Sequence, residues 1–234
     1  MFSAIAGRGR MLLKRGFDLI VAAILIVAFS WLFFLIAVAV LLALGRPVLF
    51  LQRRPGLHGE PFTIFKFRTM IEARDVTGNL LPDGARLTRF GGLLRKTSLD
   101  ELPSLFNVLR GEMSLVGPRP LLMEYLGRYS PEQMRRHDAP PGMTGLAQVN
   151  GRNAIGWDER LALDVQYVDR RSFLLDLKIL AATCLTLFKV TNVSAPGHAT
   201  MPIFTGSSTY PADASESGAQ GALSDSRRLR KSRL

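Results

Sequence analysis

The chain has 234 residues, enough for one core with appendages and short for two full domains. Lys and Arg number 30 against 19 Asp and Glu, a net charge of +11, so an acidic partner is expected: a phosphorylated substrate, an anionic membrane face or nucleic acid. The one cysteine, Cys184, excludes an internal disulfide and a Cys-cluster zinc site, and its apolar surroundings read as those of a buried, inert thiol.

The N-terminus is basic, with Arg8, Arg10, Lys14 and Arg15 ahead of a long apolar run. From Leu19 to Leu44 only Ser30 is polar. That is longer than a signal-peptide core, and no small-residue cleavage site follows, so the run belongs to the mature protein. It is long enough to cross a bilayer. Cations flank it on both sides, however, with Arg46, Arg53, Arg54, Lys66 and Arg68 beyond it, and cations hold their end of a helix in the cytoplasm. A helix that satisfies both flanks enters and returns, breaking near Ser30, whose hydroxyl can take a freed carbonyl.

Residues Pro47 to Gln52 and Phe62 to Thr69 read as two strands joined by a Gly- and Pro-rich turn. In the second, Phe65 and Phe67 alternate with Lys66 and Arg68, which presents two cations on one face. Residues Asp75 to Ala85 are a loop. Arg86, Arg89, Arg95 and Lys96 follow; cations so close to Asp100 keep that carboxylate ionised, although Arg86 and Arg89 read better as solvated.

Ser98 stands three residues before Glu101, the capping-box spacing, and Pro103 falls in the first turn, so a helix is expected to begin here. Asp100 and Glu101 then sit at a helix N-terminus, where carboxylates stay ionised and where a phosphate or a metal-bound oxygen can be held. An Asp-Glu pair of this kind also serves as a plain cap. Leu102, Leu105, Phe106 and Leu109 supply a buried face, and Gly111 ends the helix. In Gly117-Pro-Arg-Pro120 the prolines hold Arg119 in a stiff loop, a pre-set guanidinium able to grip two phosphate oxygens.

Residues 121 to 138 read as helical, with a second helix start at Pro131 and Glu132. Pro140 to Gly145 is read as a loop, and Asn150 to Asn153 as a turn carrying Arg152. A helical stretch runs from Trp157 to Val190 with a break near Arg170 to Ser172; its Asp164, Tyr167 and Asp176 read as structural, and its second half as an amphipathic helix at a membrane surface. Residues 205 to 226 are rich in Gly, Ser and Ala and read as disordered, ending in a basic cluster from Arg227 to Arg233 that suits anionic lipid or simply water.

The string SLDELPSLFNVLRGEMSLVGPRP, from Ser98 to Pro120, resembles the signature of the bacterial sugar transferase family, small monotopic phosphoglycosyl transferases that load a sugar phosphate onto a polyprenyl-phosphate carrier. QRRPGLHGEPFTIFKFRTM from Gln52, GMTGLAQVNGRNAI from Gly142 and LDVQYV from Leu163 extend the resemblance over about residues 14 to 200. VNGRNAI is similar to members that carry an N-acetylated amino or diamino sugar, such as the bacillosamine-phosphate transferase of bacterial protein glycosylation. Two positions depart from the family pattern: Ser30-Trp31 stands where Ser-Pro is usual at the membrane bend, and Pro140 where Arg is usual before Pro-Gly.

The resemblance implies an α+β fold with a re-entrant membrane helix in residues 1 to 45, a small β-hairpin, and a mainly helical cytoplasmic catalytic domain in 46 to 204 with membrane-surface amphipathic helices, followed by a disordered basic tail in 205 to 234. It implies transfer of a sugar-1-phosphate from a UDP-sugar to undecaprenyl phosphate at the bacterial inner membrane, with release of UMP, as the first membrane step of glycan assembly. Asp100 is then the nucleophile that carries the phosphosugar, and Glu101 binds Mg2+ with it or orients the acceptor. Lys66, Arg119 and Arg152 contact the substrate phosphates. Alternatives are a hexose-1-phosphate transferase for exopolysaccharide or O-antigen, and a non-catalytic basic membrane-binding module. No nucleic-acid motif occurs, and the oligomeric state stays open.

Overall fold

A computed structural model describes residues 2–151, 155–188 and 203–206. Arg152 and almost all of the C-terminal tail lie outside these, so the expectations placed on them are not addressed by it. The fold is α+β, with helices around two small two-stranded sheets.

Helix α1 (Phe2–Ala28) and helix α2 (Ser30–Leu44) meet at a bend of 63°. Among the described residues no single helix is long and apolar enough to cross a membrane, whereas this bent pair together has the length and composition. The break is one residue long. Phe29 leaves the helical well at φ −102°, ψ 12°, while its N–H still bonds Leu25 O at 3.0 Å and its carbonyl accepts from Phe33 N at 2.9 Å. No proline makes the bend; the two arms are tied to different parts of one body. Ala22 of α1, with Phe17, Val21 and Leu25 around it, joins the core of Leu105, Val108 and Leu115. Ile36 and Val40 of α2 join Phe67 and Leu94. Phe33, just past the bend, packs its ring 5.9 Å from Phe106 and 6.1 Å from Phe67.

Lys14, Arg15 and Asp18 of α1 point into the protein. Lys14 Nζ lies 2.8 Å from Asp176 and also donates to Val116 O. Arg15 donates to Val108 O at 2.7 Å and Leu109 O at 3.1 Å. Asp18 accepts from Ser114 Oγ at 2.7 Å and Leu115 N at 3.3 Å. Lys14 and Arg15, counted in the sequence as flanking charges, are therefore joints between the apolar helix and the rest of the fold.

Strands β1 (Leu49–Pro55) and β2 (Pro61–Phe67) form the expected antiparallel hairpin, with Phe50 opposite Lys66 and Arg54 opposite Phe62. Arg68 does not share a task with Lys66. Its guanidinium donates to the carbonyls of Leu44, Gly45 and Arg46, closing the C-terminus of α2, where a cation offsets the helix dipole. The region read as a loop contains the short α3 (Asp83–Arg86), in which Arg86 pairs with Asp83 at 2.6 Å. Helices α4 (Arg89–Thr97) and α5 (Ser104–Arg110) come next, then β3 (Ser114–Val116).

The short α6 (Pro131–Met134) starts with a capping box between Ser130 and Gln133. Gly142–Thr144, read from sequence as loop, is strand β4 and runs parallel to β3. Local composition hid it because the pairing is with a strand far away in sequence. Its glycine is required: a Cβ on Gly142 would stand 2.0 Å from Gly117 N. The short α7 (Leu146–Val149), α8 (Trp157–Arg170) and α9 (Phe173–Phe188) complete the fold, with the break between the last two where the sequence placed it.

Helix α9 is inverted relative to a soluble helix. Asp176 and Ile179 are buried against the body, while Leu174, Leu177 and Leu185 are exposed, as are Leu12, Ile24, Trp31, Phe34 and Leu42 on the bent pair. Cys184 shares that exposed side of α9, contrary to the buried thiol expected; the helix turns its polar Asp176 inward to Lys14 and Tyr167 instead.

Candidate active site

Helix α4 ends at Thr97, and Ser98 adopts the left-handed conformation, φ 57°. The expected capping box is absent: Ser98 closes α4, makes no side-chain cap, and passes the chain into a 3-10 turn over Leu99–Glu101. Two helices abut here without a loop, so the reversal uses the backbone of Ser98. Pro103 then precedes α5, and Gly111, φ 86°, ends that helix as its sequence requires.

The inward face of α5 differs from the expected one. Leu105 and Val108 are buried, but so are Ser104 and Asn107, whereas Phe106 is 41% exposed, covered in part by Phe33 of α2. Asn107 acts as a surrogate strand for the edge of β2: its Oδ1 accepts from Phe65 N at 3.1 Å and its Nδ2 donates to Thr63 O at 2.7 Å. Ser104 Oγ donates to Phe65 O at 2.8 Å. These three bonds lock β2 against α5 immediately before Lys66. Their signal in the sequence is two polar residues at i and i+3 within an apolar face.

Lys66 Nζ is 2.7 Å from Glu101 Oε1. Arg119 grips both oxygens of the same carboxylate, Nη1 at 3.3 Å from Oε2 and Nη2 on Oε1. Burial disfavours the Glu101 charge, but Arg119 and Lys66 together hold its carboxyl well below the ordinary range. Asp100 is different. It is 8% exposed, and among the described residues no hydrogen bond stabilises its carboxylate. Burial, then the neighbouring Glu101 charge, raise it to about 6, and Lys66, Arg119 and Arg95 offset this only in part. Desolvation thus outweighs the nearby cations expected to keep Asp100 ionised, of which Arg95 donates to Thr69 Oγ1 at 3.0 Å while Arg89 and Lys96 are exposed.

Arg119 is fixed from behind. Its backbone carbonyl accepts from Arg136 Nη2 at 2.7 Å, and Arg136 forms an ion pair with Asp164 at 2.7 Å in which each side chain is 1% exposed. Sequence reasoning missed Arg136, because nothing local distinguishes it from the neighbouring surface residue Arg135. Close passage of Gly117 and Gly142 completes the support of the Pro-Arg-Pro loop. The structure therefore brings Asp100, Glu101, Lys66 and Arg119 together and leaves Arg152 outside the described residues.

The bacterial sugar transferase family model matches residues 9–190. The chain belongs to the bacterial sugar transferase family. The sugar transferase EpsL of Bacillus subtilis is 56% identical over 200 residues, covering 84% of this chain and 98% of the relative. The UDP-glucose:undecaprenyl-phosphate glucose-1-phosphate transferase of Caulobacter vibrioides is 44% identical over 191 residues, 76% of this chain and 71% of the relative. The undecaprenyl-phosphate galactose phosphotransferase of Salmonella typhimurium is 37% identical over 202 residues, 79% of this chain and 42% of the relative. This bacterial sugar transferase is accordingly a phosphoglycosyl transferase, and the reading as a non-catalytic basic module is set aside.

Proposed function

We propose that the enzyme transfers a sugar-1-phosphate from a UDP-sugar to undecaprenyl phosphate through a covalent intermediate on Asp100. The observation that carries this is the division of labour in the adjacent pair: Glu101 absorbs Lys66 and Arg119, while Asp100 is buried beside them with its carboxylate oxygens uncommitted. A poorly solvated, unpaired carboxylate is a better nucleophile than one held in an ion pair.

An Asp100 oxygen attacks the phosphorus that bears the sugar. The bond from that phosphorus to the bridging oxygen breaks, and UMP leaves with the electron pair. An oxygen of the lipid phosphate then attacks the same phosphorus, and the Asp100 oxygen departs as a carboxylate. Dividing the transfer keeps two anions from meeting directly, and both halves use the same cations, Lys66 and Arg119. By resemblance Arg152 joins them.

Two adjacent carboxylates suit Mg2+, which takes one or two protein carboxylates and fills its shell with phosphate and water oxygens. Asp100, whose carboxylate oxygens are uncommitted, would hold the ion, and Glu101 would join it in exchange for contacts to Lys66 and Arg119. Bound there it would offset phosphate charge.

The donor sugar is a hexose in this reading, glucose or galactose being named in relatives, rather than the amino sugar suggested by VNGRNAI. The bent α1–α2 pair is a re-entrant anchor with both ends on the cytoplasmic side of the inner membrane, residues 46 to 204 form the catalytic domain, and the basic tail from 205 meets anionic lipid. The exposed apolar side chains of α2 and α9 support this placement, since it sets Asp100 at headgroup height where a lipid phosphate arrives. UMP release from a panel of UDP-sugars, with undecaprenyl phosphate and Mg2+, tests the reading. Release that depends on donor, acceptor and Asp100 supports it; no release from folded protein with any donor overturns it.

A further inference from the structure

The hairpin carries a further half-buried cation, Arg54, for which no ion pair occurs among the described residues. Arg54 lies opposite Phe62, and Gln52 opposite Ile64, in the same register that sets Phe50 opposite Lys66. Alternation therefore places Gln52, Arg54 and Lys66 on one face of the hairpin. Arg54 Nη2 donates to Gln52 Oε1 at 2.6 Å and Nη1 to Pro120 O at 3.4 Å. Its Nε is buried without a partner.

The ion pairs around it are Lys66 and Arg119 with Glu101, and Arg136 with Asp164. Among the described residues no carboxylate pairs with Arg54. A half-buried guanidinium that meets only neutral oxygens, bonded to the loop that carries Arg119, is costly unless an anion completes it. Burial and the Arg119 charge lower Arg54 to about 10.

The backbone gives the cations an order. Arg119 reaches Glu101, next to Asp100, and Arg54 reaches the carbonyl of Pro120, the residue after Arg119. A diphosphate with its reacting phosphorus at Asp100 and its bridge at Arg119 brings its second phosphate to Arg54.

We propose that Arg54 is a substrate-binding residue for the nucleotide-side phosphate of the donor, the group that departs as UMP, oriented for it by Gln52 and the Pro120 carbonyl. This rests on the transfer reading above. A guanidinium paired in this way accounts for about 1.5 to 3 kcal/mol, a ten- to hundredfold effect on affinity.

Equilibrium binding of UMP to the full-length protein in lipid nanodiscs tests it independently of turnover. Arg54→Gln is expected to weaken UMP binding about ten- to a hundredfold with an unchanged melting temperature, and Arg54→Lys, which keeps the charge but not the fork, to weaken it less. Should Arg54→Gln fail to fold, Arg54→Lys decides alone. UMP affinity equal to wild type in the folded variants, or a wild-type protein that does not bind UMP, would overturn the proposal and leave Arg54 as a strut for Pro120. Binding that requires Arg54 in a protein that turns over no donor would sink the transfer reading and leave this one standing.

Discussion

Lys66 and Glu101 form a 2.7 Å ion pair, each side chain 18% exposed, and this pair leaves the adjacent Asp100 as the unsatisfied member of the site. Lys66 is itself pushed down, by burial first and by Arg119 second, with Glu101 pulling the other way. Lys66→Gln removes a charge that stabilises ionised Asp100. Activity is expected to fall by about a hundredfold or more, and the acid limb of the kcat/KM profile to move above the wild-type position near pH 6. An unshifted limb would detach Lys66 from Asp100.

Asp100→Asn should abolish turnover and yet stabilise the fold at neutral pH. The folded carboxyl, at about 6, lies above its ordinary 3.8, so burial of Asp100 is harmless below pH 4 and increasingly costly as pH rises through about 6. At pH 8 the variant is expected to be more stable by up to about 3 kcal/mol. Thermal melts at pH 4 and pH 8 check this: the two proteins converge at the lower pH.

Asn107→Ala leaves Thr63 O and Phe65 N without their partner at the edge of β2. A loss of about 2 to 4 kcal/mol is expected, as is a fall in kcat from misplaced Lys66. Asn107→Asp, which keeps the acceptor but replaces the donor that faces Thr63 O and Glu112, is not expected to rescue it.

Gly142→Ala forces a methyl group onto the backbone of Gly117 and should spread the loop that carries Arg119. Weaker donor binding, with secondary structure retained by circular dichroism, is the expected result.

Labelling tests the anchor. Cysteines introduced at Ala4 and Gly206, in a Cys184→Ser background because Cys184 is exposed, should both react from the cytoplasmic side. Opposite accessibility would make α1 and α2 a spanning element despite their 63° bend.

The hairpin, the end of α5 at Gly111 and the break between α8 and α9 were legible because turn residues and periodicity are local. Asp100, Glu101, Lys66 and Arg119 were legible from their motifs, and the structure gathers them around one carboxylate pair. What the sequence hid is non-local. Ser98 reads as a cap until the preceding helix claims its backbone; Gly142 reads as loop until β3 lies beside it. Phe106 reads as core, but the fold leaves it 41% exposed, with Phe33 of the bent helix as its aromatic neighbour. Asn107 and Arg136 hold the site through partners 44 and 28 residues away, distances at which no spacing rule operates.

The central claim is a sugar phosphate carried on Asp100. Intact-mass analysis after rapid mixing with the donor sugar nucleotide and Mg2+, without lipid acceptor, measures it directly. The account predicts one hexose-phosphate adduct per chain, mapped to the peptide containing Asp100, discharged by undecaprenyl phosphate and absent from Asp100→Asn. An active enzyme that forms no adduct, and releases UMP only when both substrates are present together, would contradict it.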